Sequence, residues 1–418
     1  MISFEKSKAV DQMETVVQTV AENMMRPVTR HLDENEGEIP WDYISFMHTA
    51  LKQMGAASLV PEPEGNGASE KGEKKEKRAS QSYQLMAHSI EWLSWGDAGM
   101  YLCTPRGGLG SAAVEASGTP EQKKKFLARL NGDKPVLTAM AITEAQAGSD
   151  NSAIQCRAVL DEKTKEWVLN GEKIFITAGL KAFEDTDGFI VVWATLDPEA
   201  GRAGIRSFVV EAGTPGAIIT KKEHKLGIRV SDTVTLTLED CRVPYENMLG
   251  SPEIEKSTKG FKGAMQTFNV TRPLVAASGL GVARAALEEL KSMLEERGVE
   301  IRYGLPRQKL TNIEREIIDM ERMLRSSWLL TIKAVWMSDN KKPNAKEAAM
   351  SKLHAGDVVT KITQRAVEIM GPLGFSREFL LEKWFRDAKI NDIYEGTGQI
   401  NRLIAARQIL GYSGKELR

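Results

Sequence analysis

The stretch DAKINDIYEGTGQINRLIAARQIL, residues 387–410, sets one carboxylate, Glu395, between the apolar pair Ile393-Tyr394 and the glycines Gly396 and Gly398. Its latter part reads as a helix, with Thr397 placed to cap the first turn. By residue type alone, Glu395 has two readings. It decorates a helix N-terminus, where the peptide dipoles favour negative charge, or it is a group that the rest of the fold exists to position. The choice turns on what the remaining chain builds.

Upstream of that stretch, from about residue 252, long amphipathic stripes mark helices. Leu280, Ala283, Leu287, Leu290 and Leu294 recur at spacings of three and four, as do Leu310, Ile313, Ile317, Met320, Leu324 and Trp328. Such stripes specify a bundle or an oligomer core. Between about 136 and 250 the texture differs. VLTAMAIT, SAIQCRAVL, EWVLNGEKIFIT, GFIVVWATL, IRSFVVE, AIITKK and DTVTLTLEDCRVP are short, β-branched runs separated by Gly, Asp, Asn and Pro. Regular spacing of such runs predicts an antiparallel barrel or sandwich. Residues 1–135 return to helical periodicity, interrupted by PEPEGNGASEKGEKKEKRASQ, which reads as a solvated loop of mixed charge. YISFMHTALKQMG ends on Gly55 as a helix C-cap. The expected fold is α+β: an N-terminal helical domain (1–135), a central antiparallel β domain (136–250) and a C-terminal four-helix bundle (251–418).

Composition narrows the function classes. Among 418 residues, 42% are hydrophobic and 27% charged, the values of a soluble protein. Lys plus Arg number 56 against 57 Asp plus Glu, so nothing in the charge invites nucleic acid or an anionic membrane. Cys103, Cys156 and Cys241 match no metal spacing and suit a reducing compartment; the five histidines form no ligand pair. The N-terminal segment has no apolar core of a signal peptide, and no run approaches the roughly 18 apolar residues of a membrane helix. A cytoplasmic setting is expected.

Neither a G-x-G-x-x-G after a strand nor a P-loop is present. Four other constellations carry the candidate chemistry. AMAITEAQAGSD (139–150) leaves a strand for a small-residue turn: a backbone cradle for a ligand, or an ordinary Gly-Ser-Asp turn. KIFITAG (173–179) sets Phe175 and Thr177 two apart on a strand, either bordering a planar ring or simply sheet. FNVTRPLVAASGLG (268–281) places Arg272 before Pro273 at an apolar helix start. The fourth is the opening stretch, with IMGPLGF (369–375) before it.

Together these segments resemble the acyl-CoA dehydrogenase family of flavoproteins, over essentially the whole chain and in the family's order. AITEAQAGSD is similar to L-T-E-P-x-A-G-S-D, IFITAG to W-I-T-N-G, TRPLVAASGLGVARAAL to the T-R-P-x-x-A-A-x-x-x-G helix, and FRDAKINDIYEGTGQINR to R-D-A-K-x-x-x-I-Y-E-G-T-x-x-I-Q-R. The resemblance implies an FAD enzyme that removes an α-proton and a β-hydride from an acyl-CoA and passes electrons to an electron-transfer flavoprotein. It implies Glu395 as the proton base. Relatives that carry the base on the T-R-P helix would place it at Arg272, which cannot act as one. The resemblance further implies flavin contacts from Met140, Ile142, Thr143, Gly148, Ser149, Phe175, Thr177, Thr397 and Gln399. It implies substrate contacts from Ser149, Arg272, Tyr394, Gly396, Met100 and Thr104, and a homo-oligomer, a tetramer or a dimer, whose neighbouring subunit completes the flavin site through Arg302, Tyr303, Glu368 and Gly371.

In that last group the chain departs from the family. Where the family shows R-x-x-F-G, a Gln and Q-x-x-G-G-x-G, this chain has Glu300, Tyr303, Thr311, Glu368 and Pro372; either Arg302, Arg307 or Lys309 compensates for the acids, or the adenylate end binds differently. The segment GDAGMYLCTPRGGLG corresponds to the helix lining the acyl pocket. Pro105 as a kink, and Gly107, Gly108 and Gly110 as clearance, point to a bulky, cyclic or carboxylated acyl group, with Asp97 as a structural cap. The competing functions are an acyl-CoA oxidase, an enoyl-CoA reductase, and a flavin- or CoA-binding subunit without catalysis.

Overall fold

The computed structural model describes residues 6–53, 81–105, 108–254, 259–412 and 416, without the side chains of 259–267. The charged segment expected as a loop, apart from Gln81, lies outside these residues, as do Gly55, Arg106 and Gly107. The first part is helical: α1 Lys8–Val20, α2 Thr29–Glu34, α3 Trp41–Gln53, α4 Ser82–Tyr101, α5 Leu109–Ser117 and α6 Pro120–Leu127. Strands follow: β1 Thr138–Ala141, β2 Arg157–Asp161, β3 Glu166–Thr177, β4 Phe189–Thr195, β5 Ile205–Glu211, β6 Ala217–Lys222 and β7 Thr233–Pro244. The last part is helical again: α7 Lys259–Glu295, α8 Asn312–Asp339, α9 Ala345–Met370, α10 Pro372–Phe375, α11 Leu381–Ala388 and α12 Gly398–Leu410.

The strands form one sheet in the order β1-β4-β2-β3-β7-β6, with β5 on the other side of β4. Most pairings are antiparallel, as the alternating runs predict. Two are not: β1 runs parallel to β4, and β2 meets β4 in parallel at Arg157 and Thr195. The β2–β3 hairpin intervenes between β1 and β4 in sequence, so β4 returns in the same direction as β1. All of β4 is buried. Ile190, Val192 and Ala194 face one apolar cluster, while Phe189, Val191 and Trp193 join others that include Ala113, Val114 and Phe126 of the helices. A strand covered on both faces loses its polar alternation, which is why GFIVVWATL reads as a continuous apolar run.

In the C-terminal part α7 packs against α8 and α9, and α12 lies along α9. Leu280, Ala283, Leu287, Leu290 and Leu294 are all buried in the same cluster as Ile317 and Met320 of α8. The α8 start is a capping box: Thr311 accepts from the Glu314 amide, and Glu314 accepts from the Thr311 amide at 2.6 Å. Helix α4 crosses α7 closely, and Gly281 makes the crossing possible. A β-carbon there would stand 2.2 Å from the Glu91 carbonyl and 2.9 Å from the Trp95 amide, backbone atoms that cannot step aside. Gly281→Val is therefore expected to cost about 1–3 kcal/mol or more, read as a lowered denaturation midpoint with unchanged far-ultraviolet circular dichroism below it.

Candidate functional site

Glu395 sits where three helices of the C-terminal part converge. The chain leaves α11 through a short 3-10 turn (389–392), reverses at Glu395 and Gly396, and enters α12. Glu395 has φ +57° and Gly396 φ +92°. A left-handed glutamate is a strained backbone state, held only where the surroundings insist. Those surroundings are specific. The Gly396 carbonyl accepts from Lys352 Nζ of α9 and from Asn401 Nδ2, both at 2.7 Å. Thr397 caps α12 by accepting from the Ile400 amide. A β-carbon on Gly398 would stand 2.4 Å from Asp392 Oδ1, so the entry into the helix is tight against that side chain.

The carboxylate of Glu395 accepts from Thr271 Oγ1 of α7 at 2.8 Å. Arg272, itself buried, turns instead to the backbone, with Nε 3.4 Å from the Glu395 carbonyl and Nη1 3.3 Å from Asn269 Oδ1. The α7 side chain against the carboxylate is therefore Thr271 and not Arg272, because successive residues on a helix point about 100° apart. Close enclosure raises the Glu395 carboxyl above the ordinary carboxylate range, against the Thr271 hydrogen bond and the charges of Arg272 and Lys352. Burial lowers the Arg272 guanidinium, and Glu395 opposes that. Tyr394 donates to Asn391 Oδ1 at 3.2 Å beside Glu395.

A second group forms at the ends of β1 and β3. Glu144 is buried and accepts from Lys173 Nζ at 2.6 Å and from the amides of Gln155 and Cys156 at 2.7 and 3.0 Å. Lys173, fully buried, also donates to the Ile142 carbonyl at 3.1 Å. That pair clamps the 142–149 turn onto the sheet, and the Ile174 amide donates to the Thr143 carbonyl at 2.9 Å. Gly148 and Ser149 remain exposed, with open space where a Gly148 β-carbon would stand. Met140, Ile142 and Thr143 are half-buried at its root. A β-bulge interrupts β3 between Lys173 and Ile176. It throws Phe175 into a left-handed φ of +58° with 62% of its surface exposed, beside the half-buried Thr177. A large aromatic held in a strained backbone with its face uncovered, two residues from a threonine hydroxyl, suits contact with a planar group.

The remaining predicted residues lie elsewhere. Arg302 donates to Glu314 from Nε at 2.7 Å and from Nη2 at 2.8 Å. Its fork is thus committed to the α8 capping carboxylate. Tyr303 takes a hydrogen bond from Lys291 and gives one to Glu321 at 2.7 Å. Glu368 is neutralised locally by Arg365 and accepts from Gln364 at 2.8 Å. Gly371 ends α9 with φ +57°. Gln399 is exposed on α12. Met100 and Thr104 are buried, and the Thr104 hydroxyl is shared with Tyr43 at 2.7 Å and the Tyr101 carbonyl at 2.6 Å. The pocket-lining element also differs from expectation. Its kink lies at Asp97 (φ −168°, ψ +118°), while Pro105 follows the end of α4. β-Carbons on Gly108 and Gly110 would meet the Thr138 and Ala139 carbonyls at 2.2 and 2.6 Å, so these glycines let α5 lie on β1 and do not widen a pocket. Asp97 caps the post-kink turn through the Met100 amide at 2.8 Å. Sequence reasoning passed over Thr271, Lys352, Glu144 and Lys173; all but Lys352 stood inside quoted motifs, where no signal marked them as partners of the site.

Residues 139–241 match the model of the acyl-CoA dehydrogenase middle domain and residues 258–410 that of the C-terminal domain. The chain is 34% identical over 418 residues to the mitochondrial short-chain specific acyl-CoA dehydrogenase of Homo sapiens, covering 96% of this chain and 94% of that one. It is 40% identical over 298 residues to acryloyl-CoA reductase (NADH) of Anaerotignum propionicum, covering 71% and 72%. A chain in the structure of the electron transferring flavoprotein of Acidaminococcus fermentans superposes with TM-score 0.81 at 30% identity, covering 98% and 100%. The chain belongs to the acyl-CoA dehydrogenase family, and it is an FAD-dependent enzyme of that family. The hydroxyls of Thr143 and Thr177, the bare face of Phe175 and the open Gly148 turn fit the ring and diphosphate of that cofactor.

Proposed function

We propose that the enzyme dehydrogenates an acyl-CoA thioester to its 2-enoyl product, with Glu395 taking the α-proton. The carrying observation is the construction around Glu395: a carboxylate raised by enclosure, oriented by Thr271, and held in a strained turn by Lys352 and Asn401. A carboxylate with raised pKa is the stronger base, and desolvation brings it toward the operating range. The α-proton of an acyl-CoA is weakly acidic, and the turn helps by presenting the Glu395 amide N–H to the thioester oxygen as one oxyanion donor. Tyr394 and Arg272 wall the acyl site, and Gly396 leaves clearance for the thioester. FAD, when bound, supplies the acceptor for the β-hydride. Thr143, Phe175 and Thr177 would hold its ring, Met140, Ile142, Thr397 and Gln399 would contact the cofactor, and Gly148 and Ser149 would meet the diphosphate and the CoA.

The base works only when ionised, so activity is lost as pH falls through its folded pKa. Enclosure raises that pKa, so the acid limb of the kcat/KM profile is expected above the ordinary carboxylate range of about 4.3. A limb at or below that value overturns the assignment.

We read the acyl group as short. Gly108 and Gly110 serve packing, which removes their support for an enlarged pocket, and the human relative is named short-chain specific. Anaerobic titration of the flavin absorbance decides it: butyryl-CoA is expected to bleach the protein, and bleaching only by bulky, cyclic or carboxylated acyl-CoAs restores the other reading. A second direction is favoured by the 40% identity to an acryloyl-CoA reductase: enoyl-CoA reduction on the same residues. Electron-transfer flavoprotein as partner is supported by the Acidaminococcus neighbour. Faster turnover with that flavoprotein than with oxygen is expected, and rapid peroxide formation without it identifies an oxidase.

The assembly we propose is a homotetramer. Leu403, Ile409 and Leu410 of α12 stand 56%, 64% and 58% exposed, an apolar face that a monomer leaves wet. In such an assembly Tyr303, Glu368 and Gly371 approach the neighbouring subunit's flavin site, while Arg302, held by Glu314, contributes its charge less than a free guanidinium. Ile409→Glu is expected to lower the sedimentation coefficient. Three buried free thiols, Cys103, Cys156 and Cys241, suit the cytoplasm, and among the described residues no helix is long and apolar enough to cross a membrane.

A further inference from the structure

Lys352 is an unusual residue for its place. It lies in the middle of α9, 1% exposed, and its ammonium donates to a backbone carbonyl, that of Gly396, at 2.7 Å. Among the described residues no carboxylate lies within ion-pair distance of it, yet two are near enough to act through space, Asp392 and Glu395. A buried ammonium without a direct counter-ion is costly, and a fold keeps one where its charge or its hydrogen bond serves something. The carbonyl it holds belongs to the residue immediately after Glu395. That carbonyl is also gripped by Asn401, which is fully buried and bonds the Thr397 carbonyl at 3.0 Å as well. Two donors converging on one oxygen fix the 396–397 peptide plane. That plane directly follows the two residues with positive φ, Glu395 and Gly396.

We propose that Lys352 is a positioning residue for the base, fixing the left-handed Glu395–Gly396 turn through the Gly396 carbonyl and supplying the buried positive charge that keeps the Glu395 carboxylate ionised. This rests on Glu395 being the base. The groups facing that carboxylate are Thr271 and Arg272 from α7, Lys352 from α9, Tyr101 from α4, and Tyr394 from its own turn, while Asp392 acts on Lys352. Of the two cations, Arg272 already spends Nε on the Glu395 carbonyl and Nη1 on Asn269. Arg272 acts on the carboxylate more strongly and Lys352 adds to it, while Lys352 alone of the two holds the Gly396 carbonyl. Burial depresses its own pKa to about 8, with Asp392 and Glu395 pulling upward, so it is charged at neutral pH.

The test separates charge from hydrogen bond and from fold. In Lys352→Met both are lost, in Lys352→Gln a donor remains without charge, and in Lys352→Arg the charge remains. Infrared difference titration of the Glu395 carboxylate band, assigned by its loss in Glu395→Gln, reads the ionisation directly and without turnover. The band is expected to titrate about one unit higher in Met and Gln than in the parent, and close to the parent in Arg. The acid limb of kcat/KM moves with it, so rates below the limb fall about tenfold. Equal titration in all four proteins overturns the charge role. If Met alone loses activity uniformly across pH with its flavin content intact, the inference is overturned in favour of a scaffold role only. If the band shifts as expected but Glu395→Gln retains full activity, the assignment of the base fails while the Lys352–Glu395 coupling stands.

Discussion

Glu395→Gln is expected to lower kcat by about three orders of magnitude while leaving the protein yellow, folded and able to bind acyl-CoA. Glutamine keeps the volume and can still meet the Thr271 hydroxyl, so neither the turn nor the packing around it loses a contact. What disappears is the proton acceptor, and a positioned general base contributes roughly 10²–10⁴-fold. Substrate binding, followed by perturbation of the flavin spectrum, should change little, because the amide N–H of residue 395 and the Arg272 wall remain. A variant that keeps full kcat removes Glu395 from the base role. A variant that loses both cofactor and binding shows that the carboxylate was structural.

The largest stability effect is expected far from the chemistry, at Lys383→Met. Lys383 donates to Asp97 and Asp387, each at 2.6 Å, with all three side chains no more than 1% exposed. Asp97 also receives Thr29 of α2 and the Met100 amide of α4, and Asp387 receives the Ile228 amide from the segment between β6 and β7. One ammonium therefore ties the first helices, the sheet region and α11 together. Removing it leaves two carboxylates facing one another away from water, a cost of about 3–5 kcal/mol. The thermal midpoint should fall by roughly 3–6 °C. Protonation relieves the repulsion, so the deficit should shrink as pH drops toward the carboxylate range. A loss under about 1 kcal/mol would show that water reaches the cluster.

The helix–sheet–helix order was legible because apolar spacing changes period along the chain, from three-and-four to short β-branched runs and back. The parallel β1–β4 pairing was not, since period-2 alternation reports which face is buried and says nothing of strand direction. The glycines after α4 illustrate the other failure. Gly108 and Gly110 read as clearance for a ligand, yet each stands against a carbonyl of β1. A missing side chain in sequence does not say whether the freed space holds ligand or backbone. Likewise Arg272 and Thr271 are neighbours in the motif, and only the rotation of α7 decides which one reaches the carboxylate.

By itself, the sequence determined the class of fold and the position of Glu395, because local periodicity and the I-Y-E-G-T segment are short-range features written in consecutive residues. Only the tertiary structure decided what makes Glu395 more than a helix-end carboxylate. Its enclosure, its left-handed backbone and its partners come from residues 124 positions upstream at Thr271 and 44 positions away between Lys352 and Gly396. Desolvation and charge act through space, so the groups that set a proton affinity need not be near in sequence.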